Sequence, residues 1–291
     1  MDKTNLQNIK EEKDNLQELE TQLLIIGAGP GGYISAIYAA KSGLDVTLVE
    51  KEELGGTCLN VGCIPTKALI QSSEVYKTLN EASTFGISQD GELSVDMDKV
   101  IDRKDQIRKR LVNGIDFLMK KNKITVIKGE ASFISPDEIS LVGENNYKIR
   151  YKNAIIATGS KISKVNIPGV NLPFVMNSSK ALSNRKLPKS ITIIGGGVIG
   201  MEFAFLYRNF GVEVNVIEFM DRVLSLVDEE VSKEINRVAR KARIKIVTSA
   251  KVTEIKEDKD KNALVVYENK KGQQRISSQE VLIAIGREPN L

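Results

Sequence analysis

The same short pattern occurs twice in this chain, and the repeat constrains the fold more than any other feature. An apolar run at residues 23–26 is followed by GAGPGG at 27–32, and an apolar run at 191–194 is followed by GGGVIG at 195–200. Each run is typical of a buried strand, and each glycine-rich segment predicts a tight turn into a helix. The chain is therefore expected to contain two strand–turn–helix units.

Five landmarks of these units share one constant offset in sequence number, which is 195 minus 27 for the first pair. They are three glycines of each turn, the glycine that ends the helix and the glutamate that ends the next strand: Gly27 and Gly195, Gly29 and Gly197, Gly32 and Gly200, Gly43 and Gly211, and Glu50 and Glu218. A constant spacing at five positions indicates that one domain has been duplicated. The expected fold class is α/β, with two Rossmann-like dinucleotide-binding domains of three-layer ββα architecture.

The closing strands of the two units lie less far apart. Their final glycines, Gly159 and Gly286, have a smaller offset (286 minus 159) than the two glycine turns have (195 minus 27), so the first unit is longer internally. We expect this excess to hold a cysteine-bearing segment and an extra helix. Residues 161–190 contain three prolines and are predicted to connect the two domains.

Both glycine segments have the context of a dinucleotide site, although glycines can also serve tight packing alone. Each segment follows a strand, opens a helix and precedes an acidic residue by about 20 positions. The middle glycine lets a pyrophosphate approach the backbone, and the helix N-terminus favours its charge. Glu50 and Glu218 would accept hydrogen bonds from ribose hydroxyls. Because a carboxylate repels a 2′-phosphate, Glu218 predicts NAD rather than NADP.

The two cysteines, Cys58 and Cys63, lie in one glycine-rich segment, GGTCLNVGCIPTK, after the first unit's second strand. Pro65 predicts a helix that begins close to Cys63, where a helix N-terminus favours the thiolate. This spacing favours a redox-active pair. Two alternatives stay open from these residues alone. The cysteines could be small buried hydrophobic side chains, or they could bind a shared metal, for which the sequence has no histidine and no further cysteine.

Together these segments resemble a known family. GGTCLNVGCIPTKAL is similar to the active-site signature of the flavoprotein disulfide reductases, and its ending IPTKAL is most similar to dihydrolipoamide dehydrogenases. IIGAGPGGY, VEK, ATGS, IIGGGVIGMEFA and AIGREPN match other family landmarks in the same order, from about Gln22 to Leu291. The resemblance implies an N-terminal extension over residues 1–20, an incomplete FAD-binding domain over 21–160 and an NAD-binding domain over 161–291.

The resemblance also implies roles for single residues. Cys58 would exchange disulfides with the substrate, and Cys63 would face the flavin as the charge-transfer thiolate. Lys67 and Glu202 would form an ion pair, one residue from each domain. The residues expected to contact FAD are Gly27, Gly29, Gly32, Glu50, Lys51, Gly56, Thr57, Ala131, Thr158, Gly159 and Ser160. Those expected to contact NAD are Gly195, Gly197, Gly200, Glu218, Val252 and Gly286. No metal site is expected.

The function implied by the resemblance is FAD-dependent oxidation of protein-bound dihydrolipoamide, with reduction of NAD⁺ through a Cys58–Cys63 redox disulfide. The expected partners are the lipoyl domains of a 2-oxoacid dehydrogenase complex and a second copy of the chain. Family members continue beyond GREPN into a dimer-interface domain with a His–Glu pair. This sequence has no histidine, so we expect another segment or chain to supply any histidine-dependent step. The alternatives are a mercuric or glutathione-type reductase, which would favour NADPH, and an inactive nucleotide-binding fragment.

Composition excludes several other classes of protein. A net charge of +4 over 291 residues gives no reason to expect binding to nucleic acid or to a membrane surface. No apolar run approaches the roughly 18 residues that span a bilayer, and residues 1–20 resemble neither a secretory signal nor a transit peptide. We therefore expect a cytoplasmic protein.

Two further segments have a plain interpretation and a functional alternative. Residues 1–20 carry a weak helical stripe of Leu6, Ile9, Leu16 and Leu19, and are interpreted as a solvated extension rather than a partner-binding helix. The basic run at 103–123 is interpreted as a solvated helix face rather than a functional patch.

Overall fold

A computed structural model describes residues 16–88 and 90–291 of the chain. The helices are α1 (Pro30–Lys41), α2 (Gly56–Val61), α3 (Cys63–Asn80), α4 (Met97–Lys121), α5 (Ser178–Ala181), α6 (Val198–Asn209) and α7 (Glu229–Lys241), with a 3₁₀ helix (Ala82–Phe85) after α3. The strands are β1 (Leu16–Ile26), β2 (Val46–Glu50), β3 (Thr125–Ser135), β4 (Glu138–Gly143), β5 (Asn146–Ile156), β6 (Ser160–Ile162), β7 (Val175–Asn177), β8 (Ser190–Ile194), β9 (Glu213–Ile217), β10 (Lys245–Val247), β11 (Lys251–Glu257), β12 (Ala263–Asn269), β13 (Gly272–Ser278), β14 (Glu280–Ile283) and β15 (Arg287–Pro289). The predicted α/β class is confirmed.

The described residues form two compact units. The first contains the residues up to Asn60, Arg108–Ser160 and Pro289–Leu291, and the second contains Val61–Ile107 and Lys161–Glu288. The sequence predicts that residues 61–107 belong to the first domain. They pack with the second unit because their apolar side chains belong to its core: Leu69 and Ile101 share a buried cluster with α6. The assignment of one cofactor to each domain stays a prediction.

In the first unit, the parallel strands lie in the order β5-β1-β2-β3, and β4 pairs antiparallel with both β3 and β5. The five strands thereby close into a barrel. The start of β3 pairs with β2 and the remainder with β4, so this long strand joins the parallel and antiparallel parts. Apolar side chains such as Leu24, Val49 and Ile139 form one buried cluster of this unit.

The second unit has three layers. Its central parallel sheet has the strand order β10-β9-β8-β14-β7, and a three-stranded antiparallel sheet has the order β11-β12-β13. Successive side chains of a strand point to opposite faces. Leu282 of β14 accordingly packs with the helical side, in the cluster of α6, while Val281 and Ile283 pack with residues of β11 and β12. The predicted three-layer ββα arrangement is present in this unit.

Two segments that were predicted as extension or connection contain strands. Residues 175–177, within the predicted connection, form β7 and pair with β14 through buried Val175 and Met176. Residues 16–20, within the predicted extension, begin β1 and pair with residues 146–150 of β5. Leu16 and Leu19 therefore lie in a strand rather than in a helical stripe, because β5 supplies backbone partners. Leu6 and Ile9 lie outside the described residues.

The helices that follow the two glycine turns end in the same way. Gly43 and Gly211 both have left-handed φ values, +88° and +89°. In each case the next amide donates to the carbonyl five residues earlier. Leu44 donates to Ala39, and Val212 donates to Tyr207. This is the Schellman arrangement, which the predicted helix-ending glycines favour. Among the helices of the described residues, none has the length and apolar character that a membrane crossing requires.

Candidate functional site

The first and third glycines of each turn meet backbone atoms so closely that no side chain fits. Gly27 has a φ of +102°, and a Cβ there would lie 2.3 Å from the carbonyl oxygen of Ala157. Gly195 has a φ of +107° and a corresponding contact of 2.4 Å. A Cβ on Gly32 or Gly200 would lie 1.7 or 1.9 Å from the carbonyl oxygen of the first glycine. These four glycines shape the turn and let the helix approach its strand.

The middle glycines have a different environment. A Cβ on Gly197 would meet no atom within 4 Å, and a Cβ on Gly29 would meet only the Cα of Gly56, at 4.0 Å. Both residues are helix N-caps without a side-chain hydrogen bond. In α1, Pro30 has no N–H and the Gly32 amide donates to the carbonyl of Gly29, so the amide of Gly31 is the one that keeps its capacity to bind an anion. In α6 the amides of Val198 and Ile199 keep this capacity. A turn that is open on this side fits the predicted approach of a pyrophosphate.

The glutamates that follow the second strands bind their own glycine turns. Glu50 Oε2 accepts from the amide of Ala28 at 2.7 Å, and its Oε1 accepts from Glu52 at 2.9 Å. Glu218 repeats this arrangement in the second unit, accepting from Gly196 at 2.5 Å and from Met220 at 2.7 Å. Each carboxylate oxygen has a further lone pair, which could accept a ribose hydroxyl. The glutamates thus fix the turn as well as offering acceptors to a ligand.

A cleft of about 570 Å³ opens at the carboxyl ends of β8 and β9 in the second unit. This is the edge of a parallel sheet at which α/β proteins bind ligands. The predicted NAD-contacting residues that line it are Gly195, Gly197, Glu218, Val252 and Gly286. The sixth, Gly200, packs against Gly195 beneath the turn. The cleft therefore brings together residues from four separate segments of the sequence.

One wall of this cleft was not predicted from the sequence. Phe219, Met220 and Leu226 line it, and Leu226 is fully exposed. The amide of Leu224 donates to the carbonyl of Gly196 at 2.9 Å and holds this wall against the glycine turn. Exposed apolar side chains at a cleft provide a surface for the flat face of an aromatic ring. The only sequence signal was the apolar content directly after Glu218.

The segment that carries Cys58 is a short helix, α2, and not the glycine-rich loop described from the sequence. Gly55 and Gly56 have φ values of +93° and +55° and turn the chain into this helix. The amide of Gly55 donates to Ala28 at 2.8 Å, and a Cβ on Gly56 would lie 2.6 Å from Gly29. The helix carrying Cys58 therefore begins against the first glycine turn.

Asn60 anchors the other end of α2. Its side-chain amide donates to the carbonyls of Leu54 and Gly56 at 3.0 and 3.1 Å, and its oxygen accepts from Arg108 at 3.1 Å. These bonds tie the end of α2 to carbonyls at its start and to Arg108. Cys58, in the middle of α2, is partly buried.

Cys63 is the first residue of α3, as the position of Pro65 predicted. Its side chain is exposed, so it is accessible to a disulfide or thiol reagent. A helix N-terminus carries a partial positive charge, which stabilises a thiolate relative to a thiol. The thiolate is the nucleophile in disulfide exchange.

The predicted ion pair between Lys67 and Glu202 is present. Lys67 Nζ lies 2.6 Å from Glu202 Oε1, which joins α3 to α6. The prediction had placed the partners in different domains, whereas both belong to the second unit. Because Lys67 is largely exposed, the pair contributes little to stability.

The other predicted flavin contacts lie in the first unit. Lys51 pairs with Glu130 at 3.3 Å, next to Ala131 on β3. The turn of Thr158, Gly159 and Ser160 follows β5. Its carbonyls accept from Asn290: the backbone amide donates to Gly159 at 3.1 Å, and the side-chain amide donates to Thr158 at 3.4 Å. Thr57 is the second residue of α2.

No group of three or more histidine, cysteine, aspartate or glutamate side chains suited to a metal occurs in residues 16–88 and 90–291. A metal that used Cys58 or Cys63 would therefore lack the further ligands that a zinc site needs.

The two dinucleotide-binding turns and the cysteine pair define a class of protein. The chain belongs to the pyridine nucleotide-disulphide oxidoreductase family, whose sequence model matches residues 21–291. Three curated relatives carry the name dihydrolipoyl dehydrogenase. The protein from Acholeplasma laidlawii is 39% identical over 93% of this chain and 80% of its own length. The Bacillus subtilis protein is 41% identical over 94% and 60%, and the Mycobacterium leprae protein is 43% identical over 92% and 58%.

Solved structures show the same likeness. The HOCl-induced flavoprotein disulfide reductase RclA from Escherichia coli, solved as its Cu(II) complex, superimposes with a TM-score of 0.79 at 30% identity. The match covers 93% of this chain and 57% of that structure. The chain thus spans little more than half the length of that structure and of the longer curated relatives.

Proposed function

We propose that this chain is the flavin- and nicotinamide-binding part of an NAD-dependent dihydrolipoyl dehydrogenase, an oxidoreductase that acts on a sulfur group. One observation carries the proposal. The helix of Cys58 begins directly against the first glycine turn, where Gly56 approaches Gly29 and Gly55 bonds to Ala28. A redox cysteine is thus attached to a dinucleotide site. The named relatives support dihydrolipoamide as the substrate class.

The proposed reaction balances without an additional oxidant. The two thiols of dihydrolipoamide reduce the Cys58–Cys63 disulfide: the lipoyl disulfide forms, the cysteine disulfide breaks, and two protons and two electrons move to the protein. The electron pair and one proton leave as hydride on NAD⁺, and the second proton is released. Cys58 exchanges with the substrate, while Cys63, at the start of α3, faces the flavin.

The residues present fit FAD in the first unit. Gly27, Gly29 and Gly32 place no side chain against a pyrophosphate, and the amide of Gly31 at the start of α1 suits this anion. Glu50 keeps acceptor capacity for a ribose. Gly56, Thr57, Lys51, Ala131 and the turn of Thr158, Gly159 and Ser160 would complete the site. When bound, FAD would supply a two-electron couple between the dithiol and the nicotinamide.

The cleft of the second unit fits NAD. Gly197 would receive the pyrophosphate on the turn that Gly195 and Gly200 shape, and Val252 and Gly286 would line the remainder of the dinucleotide. Glu218 is buried and bonded on both oxygens, so it cannot swing away from a 2′-phosphate. This supports NAD over NADP and argues against the mercuric and glutathione-type alternatives.

The proposed partners are lipoyl domains of a 2-oxoacid dehydrogenase complex and a second copy of the protein, as expected for dihydrolipoyl dehydrogenases. A cytoplasmic location belongs to the same proposal, since a reactive thiol pair such as Cys58 and Cys63 is kept cycling in a reducing compartment. Nucleic acid and membrane are not proposed as partners.

The proposal is tested with purified protein supplied with FAD, by following NADH formation from dihydrolipoamide. Cys58→Ser should abolish turnover, while reduction of the bound flavin by NADH continues, because that half-reaction does not need the disulfide. Unchanged lipoamide turnover in Cys58→Ser would sink the proposal. A strong preference for NADPH would favour a mercuric or glutathione-type reductase. A chain that binds neither FAD nor NADH would support the inactive-fragment alternative.

A further inference from the structure

Helices α3 and α6 run side by side in the same direction with one constant register. The contact nearest their N-termini is Lys67–Glu202, separated by 135 residues in sequence. The next polar contact is Ser73–Asn209, separated by 136. Beyond it, the ring centroids of Tyr76 and Phe210 lie 6.0 Å apart. An almost constant separation along the seam means that the helices are parallel.

The Ser73–Asn209 contact is the polar element inside an otherwise apolar seam. Ser73 is fully buried; its hydroxyl donates to the carbonyl of Ile70 at 2.8 Å and accepts from Asn209 Nδ2 at 3.3 Å. Around it, Leu69 packs in the same buried cluster as Leu206 and Phe210. The hydroxyl therefore has a single suitable partner across the seam.

A buried polar contact of this kind sets register. Apolar side chains pack nearly as well after a small slip of one helix along another, whereas a displaced amide would lose its bond. Lys67–Glu202 cannot fix the position equally well, because Lys67 is largely exposed and the attraction is screened by water. The hydrogen bond between Ser73 and Asn209 is therefore the contact that fixes the register of α3 against α6.

This register determines how far Cys63, at the N-terminus of α3, lies along the helix axis from Gly197, at the N-terminus of α6. Cys63 begins α3, four residues before Lys67, and Gly197 precedes α6, five residues before Glu202. At about 1.5 Å per residue, these ends lie roughly 6 and 7.5 Å beyond the ion pair. A slip of one turn would move Cys63 by about 5.4 Å relative to the nucleotide turn.

We propose that Ser73 and Asn209 are positioning residues that lock α3 against α6 and thereby hold Cys63 at a fixed level relative to the Gly195–Gly200 turn. The consequence for electron transfer rests on the proposed function, but the lock itself does not. Replacing both residues by apolar ones, in Ser73→Ala/Asn209→Leu, removes the lock while keeping a buried apolar seam.

The lock is tested by pulsed electron–electron resonance between spin labels on Val75→Cys of α3 and Val198→Cys of α6. Both positions are well exposed, at 50% and 60%, and Cys58 and Cys63 are replaced by serine in this background. The parent should give one narrow distance distribution, centred at about 20 Å from helix geometry. The Ser73→Ala/Asn209→Leu variant should give a shifted or two-component distribution, with a urea midpoint at or above that of the parent.

A matched control makes the same types of substitution at positions outside the Ser73–Asn209 contact. Ser72→Ala/Asn80→Leu makes the same two replacements on α3, at residues whose side chains bond to Arg103 and to backbone carbonyls of their own helix. Its distance distribution should equal that of the parent. Ser73→Thr in the parent background, which retains the hydroxyl and its partner Asn209, should keep the narrow distribution.

The functional consequence is tested with both cysteines present. NADH-driven thiol formation at Cys58 and Cys63 in a single turnover should slow about tenfold in Ser73→Ala/Asn209→Leu, with an unchanged Kd for NADH. An unchanged distance distribution would overturn the lock, even if stability fell. A shifted distribution with an unchanged rate of thiol formation would overturn the positioning role. If the parent forms no thiols from NADH, the proposed function fails, while the distance measurement still decides the lock.

Discussion

The two nucleotide-binding units share the same backbone contacts around the glycine turn, which we call the backbone frame. They differ in the segment of chain that follows these contacts. In both, a glutamate after the second strand binds the amide of the second residue of the turn, Ala28 or Gly196. In both, the chain then folds back and donates an amide to the carbonyl of that same residue, from Gly55 or from Leu224. The backbone frame has therefore been retained through the duplication.

The chain beyond that returning amide has diverged. In the first unit it enters α2, which carries Cys58. In the second it contributes Leu226 to the apolar wall of the cleft and continues to α7. One position in the repeat thus carries the cysteine proposed for redox chemistry in one copy and the apolar wall of the cleft in the other. The two copies therefore differ in the segment after the glutamate, while the glycine turn and its glutamate are common to both.

The largest expected loss of stability comes from replacing a glycine whose position in the turn leaves no room for a side chain. Gly195→Ala should destabilise the protein by about 3 kcal/mol or more, because φ is +107° and the new methyl would lie 2.4 Å from a carbonyl oxygen. Urea unfolding measures the loss. Gly211→Ala is the matched control: its φ is +89°, but a Cβ meets nothing within 4 Å. It should cost about 1–2 kcal/mol, and equal losses would contradict the steric argument.

The second effect separates binding from folding. Gly197→Ala adds a methyl in open space, so stability should change by less than about 1 kcal/mol. The same methyl would meet the incoming pyrophosphate, and the Kd for NADH should rise roughly 10- to 100-fold. Fluorescence titration with NADH measures it. In the first unit, Gly29→Ala should leave NADH binding unchanged and weaken FAD retention. An unaltered Kd in Gly197→Ala would mean that the dinucleotide does not approach this turn.

Much of this frame could be predicted from the sequence because it depends on local backbone demands. The spacing of Gly27, Gly32 and Glu50, repeated at a constant offset in the second unit, identified both turns and both acceptors. Those residues satisfy contacts with close neighbours in the chain or in the adjacent strand. The prediction that Val252 and Gly286 contact the dinucleotide came from the family resemblance rather than from spacing.

The remaining features depend on long-range packing, which spacing does not encode. Nothing local indicates that Leu69 and Ile101 belong to the core of the second unit rather than the first. The contact that ties α2 to α4, between Asn60 and Arg108, joins residues separated by 48 positions. Likewise, the early start of β1 at Leu16 requires the partner strand β5.

The third prediction concerns the two glutamates. Glu218→Gln replaces an acceptor oxygen by an NH₂ group and leaves one of two buried backbone amides without its partner, at a cost of about 1–3 kcal/mol. The Kd for NADH should rise about tenfold, and the discrimination against NADPH should decrease, because the negative charge is lost. Glu50→Gln, at a more exposed site, should cost less stability and leave NADH binding unchanged. Equal stability losses would mean that burial does not distinguish the two copies.

The smallest effect concerns a charge present in only one unit. Glu280 pairs with Ile191 in β14 and β8, and the matching position in the first unit is Asn153, which pairs with Leu23. Burial raises the pKa of Glu280, although Asn184 donates a hydrogen bond to it at 2.9 Å.

A carboxyl group whose pKa is raised on folding binds its proton more tightly in the native state, so its contribution to stability is lost as the pH rises. Glu280→Gln keeps an acceptor for Asn184 and has no such titration. The variant should therefore match the parent below about pH 4 and become slightly more stable than the parent toward pH 7. Thermal unfolding across this range measures the difference. A gain that is equal at all pH values would show that the effect comes from packing and not from the buried charge.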